Sequence, residues 1–459
     1  MAEDQGEKAA LKAENDRLRA ENERLRAELE RLKALVEQLR RSGKRQAAPF
    51  SRGAPKPAPQ RPGRKAGAHY GRKAHRKPPA HIDETYEAPL PPRCPCCDGE
   101  VAYDKTESQF QTEIPRKPIH RQFNVQVGHC RKCGRRVQGR HPLQTSDALG
   151  AAASQVGPDA QAFATMLNKD LGLSHGKVGR VLETFGITLS RGGSAQVMLR
   201  AAQRCAAAYK EIQVAVRHSA WVVPDETGWK VGGLLQWLHV FVTAEATLYL
   251  IRDSRGADVG FEALGADYAG HMIHDVWAPY EQFIHATHTQ CNAHLLRRCK
   301  ELEETARGAA VLFPRRVKAL LQAGLALRDR HDRGELAGAA FKGQVTRLHN
   351  ELGRLCAPIK TNPDNERLAK FLFHNQYEVL NYLRHPGTDA TNWRAEQGTR
   401  PAVVNRKVWG GSRTDDGAAA QGILMSVSGT AKQCGKTFLG FLSDTLRALR
   451  GKVPLLLSG

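Results

Sequence analysis

Residues 221–251, WVVPDETGWKVGGLLQWLHVFVTAEATLYLI, commit the centre of this chain to a β-sheet. AWVVPDET, LLQWLHVFVTA and ATLYLIRDS are rich in Val, Leu, Trp and Phe and are parted by Gly or polar breaks, as in a three-stranded meander. An acidic pair, Asp225 and Glu226, interrupts the first of them. Adjacent strand residues point to opposite faces, so only one of the two can serve a given site; the other is solvated or held in a salt bridge. Partners for Asp225 have to come from other elements.

Two further acids stand in comparable settings. After the helical stretch SRGADVGFEALG, HMIHDVWAPYEQF reads as a short apolar strand ending at Asp275, followed by Pro279 and Tyr280. THTQCNAHLLRRCKELEE then opens a helix, and mostly helical sequence continues to about residue 386. Glu396 lies in TDATNWRAEQGTRPAVVNRKVWGG, in a helix flanked by Arg394, Arg400, Arg406 and Lys407. Three carboxylates on separate elements amid surplus positive charge suit two magnesium ions, which take oxygen ligands and keep positions open for water and phosphate.

The charge balance points the same way. The 459 residues carry a net charge of +22, and residues 41–80 alone hold twelve Lys and Arg, seven Pro and no Asp or Glu. So basic a chain meets a polyanion. Its Pro-rich linker at 43–80 buries too little apolar surface to fold alone, and as a passive spacer it would still touch phosphates without reading sequence. No apolar run reaches the length of a membrane span, and the charged N-terminus lacks the apolar segment of a signal peptide. A cytosolic protein is expected, with no membrane partner.

Leu11, Leu18, Leu25, Leu32 and Leu39 recur every seven residues, with Asn15, Asn22, Leu29 and Val36 at the a positions. Glu14, Glu21 and Glu28 would face Arg19, Arg26 and Lys33 of a partner, and asparagine at a favours a parallel pair in register. Residues 1–42 are therefore expected to form a homodimeric coiled coil, the alternative being a lone charged helix. Further on, Cys94 and Cys97 form one CxxC pair and Cys130 and Cys133 another. Four thiolates on tight turns suit a tetrahedral, structural Zn2+ ribbon at 81–145, with the intervening FQTEIPRKPIHRQFNVQVGH alternating like a hairpin and Cys96 a spare thiol.

PDAQAFATMLNKDLG, SHGKVGRVLETFG and RGGSAQVMLRAAQRCAAAYKEI read as three helices, compatible with a helix-turn-helix over 155–210 or with a plain helical connector. His285, His288, Cys291 and His294 recur three apart, which suggests a partly buried polar cluster rather than a second zinc site. Asp253, Asp258, Asp415 and Asp416 are expected at the surface. QCGKTFLG looks like the end of a phosphate-binding loop, but five residues separate Gly429 from Gly435 where that loop needs four, so no nucleotide site is expected.

The coiled coil, basic linker, double CxxC, PDET, HDVWAPY, CNAH and NWRAEQ…RP…NRKVWGG follow one another in an order that resembles the transposases of the IS66 family of bacterial insertion sequences, over nearly the whole chain. The resemblance implies a multidomain protein: parallel coiled coil, zinc ribbon, helix-turn-helix-like domain, and an α/β RNase H-like core at 215–300 and 387–459 around a helical insertion at 301–386. It implies a DDE transposase in which Asp225, Asp275 and Glu396 are the catalytic acids and Mg2+ ligands, with Cys291 and His294 supporting them. It also implies double-stranded DNA as partner, both element ends and target, bound with help from Arg394, Arg400, Arg406 and Lys407. A homodimer or larger assembly, accessory proteins of the same element and a cytoplasmic, nucleoid-associated setting belong to the same picture. Trp393 and Gln397 depart from the commoner third motif, which has an asparagine and an arginine there. The competing reading is a catalytically inactive dimeric DNA-binding regulator derived from a transposase.

Overall fold

The heptad pattern calls for a helix near the N-terminus, and helix α1 spans residues 14–32. Leu18, Leu25, Leu29 and Leu32 on it are each more than half exposed. The computed structural model describes residues 14–32, 78–112, 117–150, 155–385, 387–448 and 454–457. Leu11, Leu39 and nearly all of the basic linker lie outside the described residues. The chain divides into two compact units, 47–119 and the remainder.

In the smaller unit the chain turns sharply at the first cysteine pair, where the Cys94 amide reaches the Gly99 carbonyl at 2.9 Å and the Asp98 amide the Cys94 carbonyl at 2.9 Å. The larger unit contains the same turn: the Cys130 amide reaches Arg135 at 2.8 Å and the Gly134 amide the Cys130 carbonyl at 2.9 Å. The residue after the second cysteine is left-handed in both, Asp98 at φ 58° and Gly134 at φ 69°. Strands β1 (Val127–His129) and β2 (Arg136–Gln138) pair antiparallel across the second turn. The hairpin expected between the cysteine pairs thus forms around the second pair. Residues 101–112 and 117–126 have no regular structure, and Pro118 could donate to no ladder there.

The central sheet has five strands in the order β5-β4-β3-β6-β7. β3 (Trp221–Val231), β4 (Leu234–Val242) and β5 (Thr247–Arg252) form the expected antiparallel meander. β6 (His271–His274) and β7 (Thr287–Gln290) run parallel to β3. β7 is a strand that periodicity did not reveal, because THTQ is polar. Its Thr289 and Gln290 are nonetheless buried. The pairing of β3 with β6 covers only Trp221↔His271 and Val222↔Met272 before Pro224, which has no N–H for a ladder. Beyond that point the two strands are no longer paired, which opens the sheet at their carboxyl ends.

Alternation along the strands divides the core. Val222, Phe241, Leu248 and Met272 join one cluster, which also holds Leu182 of α3 (His175–Glu183), Val197 of α4 (Arg191–Arg204), Ile212 of α5 (Ala206–Arg217) and Leu442 of α14 (Phe438–Arg447). Helix α2 (Pro158–Lys169) contributes Ala162 and Leu167. Thus α2–α5 share one continuous core with the sheet. Val223, Val240, Val242 and Ile273 on the opposite face meet Ala395 and Ala402 of α12 (Trp393–Trp409). Helix α13 (Asp415–Gln433) covers the β5 edge, Ser426 and Thr430 accepting from the Tyr249 and Thr247 amides at 2.8 and 3.0 Å. Gly422 permits this approach, since a Cβ there would lie 3.0 Å from the Tyr249 carbonyl oxygen.

A helical body with its own core intervenes between β7 and α12. Leu295 and Leu302 of α7 (Asn292–Thr305) pack with Val317 of α8 (Leu312–Asp332), Leu352 of α9 (Gly338–Cys356) and Leu372 of α10 (Pro363–His374). The protein is mixed α/β with a central sheet.

Candidate active site

Asp225 lies on β3 where the sheet opens, facing α12, and Asp275 follows the last residue of β6. Counted from the Trp221↔His271 pair, Asp225 and Asp275 each lie four residues further along their segments, beyond the paired stretch. Glu396 occupies the first turn of α12, where the helix dipole favours a carboxylate. Asp225 thus lies within electrostatic reach of both other acids.

Their electrostatics are mutually unfavourable. Burial raises the Asp225 carboxyl to about 7, and Glu226, Asp275 and Glu396 push in the same direction while the Glu226 amide opposes them. That amide donates to Asp225 Oδ1 at 2.9 Å, and the Thr399 hydroxyl lies 3.4 Å from Oδ2. Burial and Glu226 raise Asp275 as well, with His294 and Arg255 pulling the other way.

Glu226, on the opposite face of β3 from Asp225, is the salt-bridge partner anticipated for one of the pair. Its side chain is 3% exposed and accepts from Arg255 at 2.7 Å and from the Tyr280 hydroxyl at 2.7 Å. The Arg255 guanidinium lies 4.6 Å from the Trp237 ring and 3.8 Å from the Trp277 ring. Glu226, Arg255 and Tyr280 therefore tie β3 to the segment just after Asp275.

Glu396 turns toward α7: its Oε1 is 3.9 Å from both His294 Nε2 and Arg297 Nη2. Cys291, buried ahead of α7, bonds to Asn392 ahead of α12. Sequence reasoning singled out Cys291 and His294 but not Arg297, Thr399 or Asn392. Arg297 follows His294 by three residues and Thr399 follows Glu396 by three, so helical spacing carried that signal.

The basic residues around Glu396 divide. Arg406 is half-buried and donates to Thr227 Oγ1 at 2.8 Å and to the Gly228 carbonyl. Arg394 pairs with Asp389 and lies over the Trp221 and Trp393 rings. Arg400 and Lys407 are exposed. Of the remaining candidates, His285 is exposed, whereas His288 turns inward to His274 at 2.9 Å. Asp253, Asp258, Asp415 and Asp416 are exposed. QCGKTFLG joins the end of α13 to the start of α14 and has no strand before it. Among the described residues, no group of three or more His, Cys, Asp or Glu is gathered as a metal site, and no helix is long and apolar enough to cross a membrane.

An α/β core that presents acids where its sheet opens, beside basic helices, defines a DNA-processing enzyme once its family is known. The family model described as Transposase IS66 family matches residues 153–420, more than half of the chain, and the chain belongs to that family. The match spans β3, β6 and α12, and so all three acids. No curated protein matches the chain. Family membership makes it a transposase that binds DNA.

Proposed function

We propose that the chain is a DDE transposase that cuts insertion-sequence ends and joins them to target DNA through Asp225, Asp275 and Glu396. The observation that supports this reading is that the Asp225 carboxyl on β3 is pushed up to about 7 by burial first, then by Glu226, and also by Asp275 after β6 and Glu396 on α12. Strand order β5-β4-β3-β6-β7, with β4 antiparallel to its neighbours and a helical body before the third acid, supports an RNase H-like core.

Carboxylates destabilised by one another gain from a bound positive charge, although among the described residues the three acids are not gathered as a ready-made metal site. Asp225, Asp275 and Glu396 would hold Mg2+, which when bound supplies activated water and neutralises charge for in-line displacement at phosphorus. His294 and Arg297 restrain Glu396. Cys291 and Asn392 set the start of its helix. Glu226, Arg255 and Tyr280 position the Asp275 segment, and Arg400 and Lys407 offer positive charge to the DNA backbone, while Arg394 and Arg406 hold α12 in place. With its carboxyl pushed up to about 7, mainly by burial, Asp225 would exchange its proton for a bound cation.

The N-terminal half serves assembly and grip. Two α1 helices would bury their leucine seams against each other as a parallel coiled coil, bringing two subunits to two element ends. Each cysteine turn fits Zn2+: the amides of Cys96 and Cys97 lower the Cys94 thiol, and those of Cys133 and Lys132 lower Cys130, which favours the thiolate a metal needs.

The test is magnesium-dependent strand cleavage of DNA carrying the element's terminal repeats, native protein against Asp225→Asn. Cleavage that needs metal and disappears in the variant supports the proposal. Tight binding of those ends without cleavage, even with the element's other products added, would favour the inactive regulator.

A further inference from the structure

Trp393 and Gln397, the two departures from the commoner third motif, fall one turn apart on α12 and line the same cavity. It encloses about 360 Å³ between α12 and α13, over Val242 and Tyr249 of the sheet. That volume holds one small ligand, pockets of this kind measuring about 300–1,000 Å³. Asp225, Asp275 and Glu396 do not line it. The cavity is therefore a separate feature on the α13 side of the helix that carries the third acid.

Its chemistry is specific. Trp393 is 47% exposed, with the Arg394 guanidinium 4.9 Å from its ring. Pro401, also in the wall, has no N–H to offer the Gln397 carbonyl, so an acceptor is left beside the Gln397 carboxamide. An adjoining hollow shares Gln397 and Pro401 and carries the exposed Arg400. Lys432 is paired with Asp170 and Arg394 with Asp389, whereas Arg400 has no ion pair among the described residues.

A flat aromatic surface, an amide that can both donate and accept, and, in the adjoining hollow, a cation without an ion pair among the described residues match the three parts of one nucleotide: ring, base edge and phosphate. An apolar side chain of a protein partner would use only the first. We propose that this cavity takes a single unstacked nucleotide of the bound DNA, its base against Trp393, its edge at Gln397 and its phosphate at Arg400. Extruding one base separates the strands locally. The inference rests on the DNA-processing reading of the acids.

The test is fluorescence anisotropy with the full chain and three short duplexes: one with a single-nucleotide bulge, one with an abasic bulge and one perfectly paired. The base-bearing bulge should bind on the order of 10-fold tighter than the other two. Trp393→Ala should abolish that preference without changing affinity for the paired duplex, while Trp393→Phe, which keeps a stacking face, should preserve it. Thermal unfolding checks that the variants fold, and Gln397→Ala, at an exposed position, should weaken the preference in a folded protein. Equal affinity for all three duplexes, or a preference that survives Trp393→Ala, overturns the inference and leaves the DNA-processing reading standing. No affinity for any duplex removes both.

Discussion

Cys291 and Asn392 are joined by two hydrogen bonds: the buried thiol donates to Asn392 Oδ1 at 3.1 Å and accepts from the Asn392 amide at 3.3 Å. Burial holds the thiol above its usual range, so it stays protonated and able to donate. Asn392 in turn accepts the Glu396 amide at 3.1 Å, so this one contact sets where α12 begins and where Glu396 points. Cys291→Ala strips a buried carboxamide oxygen of its donor and should cost about 1–3 kcal/mol in chemical denaturation. Cleavage should fall roughly 10- to 100-fold with little change in DNA affinity, because the third acid loses its placement. Cys291→Ser keeps a donor and an acceptor and should retain most activity. An alanine variant as active as the native chain would remove the positioning role.

Asp225 makes stability depend on pH. Its folded value, about 7, lies above its ordinary 3.8, so the folded state binds the proton more tightly. The associated stability is fully present below about pH 4 and is lost as pH rises through 7. Asp225→Asn removes this loss. The variant should gain roughly 2–4 kcal/mol over the native chain between pH 4 and pH 8, read from urea midpoints without divalent cations. Parallel pH profiles for the two proteins would show that Asp225 carries no such stress.

The Glu226–Arg255 pair should respond asymmetrically. Glu226→Gln removes a buried charge and leaves Arg255, whose side chain is 37% exposed, able to reach water between Trp237 and Trp277. Arg255→Ala instead leaves the Glu226 carboxylate buried near Asp225 and Asp275, which it already destabilises. Arg255→Ala should therefore be the more damaging by about 1–3 kcal/mol, with the double variant partly restored. Equal losses from the two single changes would contradict this.

Much of this arrangement was legible in the sequence, for reasons tied to particular residues. The meander announced itself through alternating Val, Leu and Phe, and Asp225 stood out because an acid in such a strand needs a cause. The helical body was readable from its 3.6-residue periodicity. β7 was not, because Thr287, His288, Thr289 and Gln290 carry no apolar alternation and are buried through side-chain contacts such as Thr289 with His271 at 2.7 Å. The hairpin around Cys130 was misplaced because apolar alternation continues upstream of it, while the tight turn follows the cysteine spacing. Arg406 reads in sequence like any helix-surface cation. Its inward turn depends on the open Gly228 carbonyl, a contact between distant segments that local pattern does not encode.

Burial pushes the Asp225 carboxyl up to about 7, so near neutral pH an incoming divalent cation competes there with a proton. Magnesium titrated calorimetrically at pH 7 should therefore release a fraction of a proton from this carboxyl, seen as a binding enthalpy that varies with the ionisation heat of the buffer. The release should shrink as pH rises above 7, where Asp225 is already ionised, and grow below it. Affinity should move the opposite way, weakening as pH falls. Asp225→Asn should abolish the buffer dependence, and Glu396→Gln should weaken binding while keeping it, since the proton resides on Asp225. Magnesium binding whose enthalpy is the same in every buffer would place the ion away from this carboxyl.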